Sequence, residues 1–83
     1  MPYIKQSRRR ELNHIVSDML CADLQPHGDL NYILYAYCKR CIAPGYTGYK
    51  NYLGELTEAA AEIRRRLLAP YEDEKIRENG DIS

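Results

Sequence analysis

Three consecutive arginines, Arg8, Arg9 and Arg10, follow Ser7 at the start of a helical pattern. Cations in a helix's first turn oppose the helix dipole, at a cost of a few tenths of a kcal/mol each (roughly 0.3 or more). The same helix end offers unpaired backbone N–H groups to an anion. Arginine there points to phosphate or carboxylate binding, against the plainer reading of a solvated surface run. Other clusters carry less chemistry. Cys38-Lys39-Arg40-Cys41 is a C-x-x-C, but it lies late in a helix and inside an apolar stripe. Only Cys21, His14 and His27 could complete a metal set, and none has ligand spacing, so packing as small hydrophobes is the expected role. His14 and Asp18 stand one turn apart, off the apolar stripe, which suits a solvated helix face better than an acid–base pair. Glu72, Asp73 and Glu74 fit the first turn of a short helix. No catalytic residue, metal site or cofactor is expected.

Helices must position these groups. The turn marks are Pro26-His27-Gly28, Ala43-Pro44-Gly45, Pro70 and Asn79-Gly80. Helix one is predicted from an N-cap at Ser7 to about Leu24, with Leu12, Ile15, Val16 and Met19 on one stripe. Helix two is predicted from an N-cap at Asp29 to about Ile42, with Leu30, Ile33, Leu34, Tyr37, Cys38 and Cys41 as its stripe. Helix three is predicted from about Gly48 to Ala69, with Tyr49, Tyr52, Leu53, Leu56, Ala60, Ile63 and Leu67 along one face. Pro70 opens a short fourth helix or kinks the third. No segment alternates with period two. The expected fold is all-α: one domain over residues 1–83, an up-down-up bundle with a short C-terminal helix. Its core would hold Leu12, Ile15, Val16, Met19, Ile33, Leu34, Tyr37, Leu53, Leu56, Ile63 and Leu67.

That topology predicts one basic, tyrosine-rich pole. The start of helix one would lie beside the end of helix two and the start of helix three. Tyr3, Arg8, Arg9, Tyr46, Tyr49 and Lys50 would then form a pocket for a small anionic, nucleotide-like ligand. Guanidinium forks grip phosphate, and tyrosine rings stack on a base. Arg64 joins the candidates, because alanines and leucines surround it at helical spacing and no local acid answers it.

Composition sets the limits. The chain has 83 residues, formal net charge zero, eight tyrosines and neither Phe nor Trp. Zero net charge gives no broad electrostatic footprint for nucleic acid. No apolar run is long enough to span a bilayer, and residues 1–5 lack a signal-peptide core, so a cytoplasmic protein is expected. Three cysteines without a secretory signal read as reduced thiols. A chain this short buries little surface, and helix two is apolar on both sides. Tyr32, Tyr35, Lys39 and Ile42, with Ala36, form its second face and predict a homo-oligomer interface.

Met1-Pro2-Tyr3-Ile4-Lys5-Gln6, Gly28-Asp29-Leu30-Asn31-Tyr32, Ala69-Pro70-Tyr71-Glu72-Asp73, Lys75-Ile76 and Glu78-Asn79-Gly80-Asp81 together span most of the chain. With these motifs it resembles a family of short proteins of phages, bacteria and archaea that has no agreed activity. The resemblance implies context more than mechanism. A phage source implies an accessory protein that interferes with host defences, acting in the host cytoplasm. An adaptor that binds a host protein through the second face of helix two is the competing expectation.

Overall fold

A computed structural model describes residues 4–82. All regular structure among them is helical, and no strand occurs. The chain divides after Pro44 into two compact units.

The first unit holds α1 (Gln6–Cys21) and α2 (Asp29–Cys41). α1 starts ahead of the predicted Ser7 cap. The Lys5 carbonyl already accepts the Arg9 N–H at 3.0 Å, so Lys5 is the N-cap and Ser7 lies in the first turn. α1 also stops short of Leu24. Asp23 adopts a left-handed conformation (φ 53°), which acidic and amide residues tolerate better than most, and its N–H turns back to the Leu20 carbonyl. Asp29 is not the cap of α2. Gly28 takes that position at φ 137°, and the Asp29 carboxylate reaches back to accept the Gln25 N–H at 2.8 Å. One carboxylate thus fastens the loop and places negative charge in the first turn of α2, where the helix dipole favours it.

The second unit holds α3 (Tyr46–Ile63), a π-helical turn (Arg64–Leu68) and α4 (Ala69–Asn79). α3 begins two residues before the predicted Gly48, with Gly45 as N-cap at φ 140°. The π turn has a steric cause. Pro70 has no N–H, and in an α-helix its ring would press on the carbonyl of Arg66. The turn widens instead, and the Ala69 N–H bonds the Arg64 carbonyl five residues back. The short fourth helix is therefore present, joined to α3 without a break. It ends at Gly80, whose positive φ (85°) closes an N–H bond to the Ile76 carbonyl at 2.8 Å.

The expected core positions are at most half-buried among the described residues. Among the described residues none is buried. Leu12, Met19, Ile33, Leu34 and Leu56 are half-buried. Val16 is 62% exposed, Leu53 60% and Leu67 67%, and Ile15, Tyr37 and Ile63 are exposed as well. Each helix presents its apolar stripe as the pattern requires.

Candidate functional site

The first turn of α1 contains no acid and carries Arg8 and Arg9. Neither guanidinium is idle. Arg8 Nη1 pairs with Glu11 Oε2 at 2.9 Å, one turn on, and Arg9 Nε donates to the Ile4 carbonyl at 2.9 Å. Both side chains stay exposed. An exposed i,i+3 pair of this kind contributes about 0.3–0.5 kcal/mol, little enough for an incoming anion to displace. His14 Nδ1 lies 2.7 Å from the Glu11 carbonyl, so the ring is engaged on its own helix by a backbone oxygen.

The first turn of α3 likewise lacks an acid. It brings three predicted residues together. Lys50 stands one turn beyond Tyr46 with its ammonium 5.8 Å from the ring centroid, and Tyr49 lies exposed beside them. This ammonium–ring contact shows the face of Tyr46 already holding a cation. Tyr3 lies outside the described residues. Arg8 and Arg9 belong to the first unit, and Tyr46, Tyr49 and Lys50 to the second.

Arg64 opens the π turn. No side-chain ion pair or hydrogen bond engages it among the described residues, whereas Arg65 Nε binds Glu62 Oε1 at 3.0 Å. The second face of α2 is present as expected: Tyr32 is 63% exposed, Tyr35 64%, Lys39 is exposed and Ile42 half-buried. At spacings of three and four residues these four lie on one side of the helix.

The cysteines do not share one environment. Cys38 is half-buried, while Cys21 and Cys41 are exposed, and all three are free thiols. Expected core packing therefore describes Cys38 only in part and Cys41 not at all. No group of three or more His, Cys, Asp or Glu stands ready for a metal ion among the described residues. None of the described helices is long and apolar enough to cross a membrane.

Sequence reasoning missed one cluster. Lys75 lies 5.6 Å from the Tyr71 ring and also pairs with Glu78 at 3.2 Å. Spacing alone allowed it, since Tyr71, Lys75 and Glu78 are one turn apart. The signal that matters is Pro70, because the π turn it forces decides which way Tyr71 faces.

No curated protein and no solved structure matches the chain. A family model described as a domain of unknown function (DUF6899) matches residues 1–82, and the chain belongs to that family.

Proposed function

We propose that this chain is a non-enzymatic binding protein that assembles with copies of itself and holds a small phosphorylated, nucleotide-like molecule. The observation that carries the reading is the make-up of two helix starts. α1 and α3 both open with cations or tyrosines and with no acid. Phosphate oxygens take guanidinium and free helix N–H groups, and a base or ribose takes the faces of Tyr46 and Tyr49. Tyr3 and Arg64, the latter a cation without a local acid, are the further candidates for the same ligand. The Tyr32, Tyr35, Lys39 and Ile42 face of α2 is the proposed contact between copies. For a phage-borne protein the bound molecule would be a host immune signal, and the activity its sequestration in the host cytoplasm.

A thermal-shift series tests the ligand. Inorganic phosphate, a mononucleotide and a dinucleotide are compared at low and high salt, for the natural chain and for Arg8→Ala with Arg9→Ala. A nucleotide should raise the melting temperature of the natural chain more than phosphate does. The double variant should melt within about 2 °C of the natural protein, since an exposed pair worth a few tenths of a kcal/mol goes together with an unfavourable dipole interaction. It should lose the nucleotide response. A double variant that keeps the full response removes Arg8 and Arg9 from the site. One that unfolds makes them structural.

The α2 face favours a second reading, an adaptor docked on a host protein. Its two tyrosines are nearly two-thirds exposed. Capture of a host protein by the natural chain, lost in Tyr35→Glu with Ile42→Glu, supports that reading over a contact between copies.

A further inference from the structure

We propose that Cys38 and Cys41, on the last turn of α2, form a two-thiolate site for a soft, thiophilic cation that accepts two sulfur ligands, with copper(I) as the case to test. The inference uses residues of the first unit alone. It rests neither on the nucleotide-like ligand nor on the second face of α2.

Residues three apart on a helix are neighbours on one face. Cys38 and Cys41 stand at that spacing, and both are free thiols. The turn that carries them is regular. α2 runs to Cys41, and the Ile42 N–H bonds the Cys38 carbonyl at 3.1 Å before the chain leaves in an extended conformation. Packing does not account for the pair. Unpaired cysteine is among the most buried residue types, yet Cys38 is only half-buried and Cys41 is exposed. Cys41 can thus meet an ion from solvent, with the second thiol one turn behind it.

Distance selects the chemistry. On an α-helix, Cβ atoms three residues apart are about 5–6 Å from each other. A disulfide needs them about 3.5–4.5 Å apart, joined through one S–S bond of about 2.0 Å. The regular turn is therefore too wide for a disulfide by roughly 1–2 Å. An ion between the sulfurs replaces that one bond by two of about 2.3 Å each, which spans the gap without tightening the turn. Thiolate pairs select soft metals, copper(I) and zinc among them. Structural zinc and iron–sulfur clusters take four ligands. No third His, Cys, Asp or Glu joins this pair among the described residues. Copper(I) is satisfied by two thiolates. Binding releases both thiol protons to solvent and leaves two thiolates around a univalent cation, a single net negative charge. A helix C-terminus opposes an anion, and Lys39 and Arg40 answer with two cations in the same turn.

The test uses the full chain, reduced and free of oxygen, titrated with copper(I) against a coloured copper(I) chelator. One ion per chain should bind, with a sulfur-to-copper absorption band in the ultraviolet, and added zinc should leave the uptake unchanged. Cys38→Ser and Cys41→Ser should each weaken binding by at least about a hundredfold, the effect of losing the second, intramolecular ligand. Helical circular dichroism should persist in both. Cys21→Ser should change nothing. Arg40→Cys with Cys41→Ser keeps three thiols but sets the pair two residues apart, on different faces of the helix, and should bind as weakly as the single variants. Full affinity in that relocated pair or in either single variant overturns the proposal. So does uptake of one ion per two chains with a rise in sedimenting mass on loading, which makes the ion a bridge between copies. A Cys38–Cys41 disulfide as the main product of glutathione disulfide also overturns it, because the turn then tightens readily and the distance argument fails. Arg8→Ala with Arg9→Ala should leave copper(I) uptake unchanged, whatever it does to a nucleotide response.

Discussion

If assembly supplies the missing cover, dilution alone must destabilise the protein. No described residue is buried within one chain, so folding and association are expected to be one transition. Two chains of 83 residues unfold with an enthalpy of about 116 kcal/mol at about 0.7 kcal/mol per residue. A tenfold fall in concentration shifts such an equilibrium by about 1.4 kcal/mol. Divided by an unfolding entropy of about 0.35 kcal/mol/K, that lowers the melting temperature by about 4 °C. A tetramer, which loses more partners on unfolding, shifts by about 6 to 7 °C per tenfold dilution. Circular dichroism melts across a hundredfold range therefore span about 8 °C for a dimer and about 13 °C for a tetramer. The slope reports the stoichiometry without a cross-linker or a mutation. A melting temperature that stays constant over that range means that the chain folds as a monomer, and the proposed contact through the α2 face fails with it.

Two other outcomes depend on particular residues. Tyr35→Glu with Ile42→Glu should lower the mass of the assembly without loss of helicity, because both side chains lie on the second face of α2 rather than on its inner stripe; light scattering with circular dichroism checks it, and an unchanged mass takes that face out of the interface. Gly45→Ala should cost about 1–3 kcal/mol in urea unfolding. Gly45 caps α3 at φ 140° and ψ 166°, a conformation nearly closed to other residues, and a Cβ there meets nothing within 4 Å, so the penalty is backbone strain alone. A loss below about 0.5 kcal/mol would show that the α3 start relaxes to another cap.

Helix existence was legible because it depends on local pattern. Turn chemistry at Pro26-His27-Gly28, Pro44-Gly45 and Asn79-Gly80 separates or stops the helices where the backbone turns to positive φ. Helix ends were less legible because caps compete. Ser7 is a good cap, yet the Lys5 carbonyl is taken first. Asp29 is a good cap, yet its carboxylate serves the Gln25 N–H and Gly28 takes the special conformation. Burial was legible only in part: Leu12, Met19, Ile33, Leu34 and Leu56 of the expected core are half-buried, and the rest are exposed. A stripe such as Leu53, Leu56, Ile63 and Leu67 states which side of a helix avoids water, but not whether its own chain or another supplies the cover. The arginines teach the same limit from the polar side. Arg8 and Arg9 were readable as cations at a helix start, while their engagement with Glu11 and the Ile4 carbonyl depends on rotamers that spacing only permits.

The tyrosines bear on the proposed contact. Eight tyrosines and no other aromatic residue is an odd choice for a core, because each phenol buried there needs a hydrogen-bond partner. It is a sound choice for a chain whose apolar faces meet water until a partner arrives. A phenylalanine at position 32, 35, 49 or 71 would add the same ring with no group for water to bind, and would favour indiscriminate collapse between exposed stripes. Tyrosine keeps the separate chain tolerable in water and still supplies a large flat surface once covered.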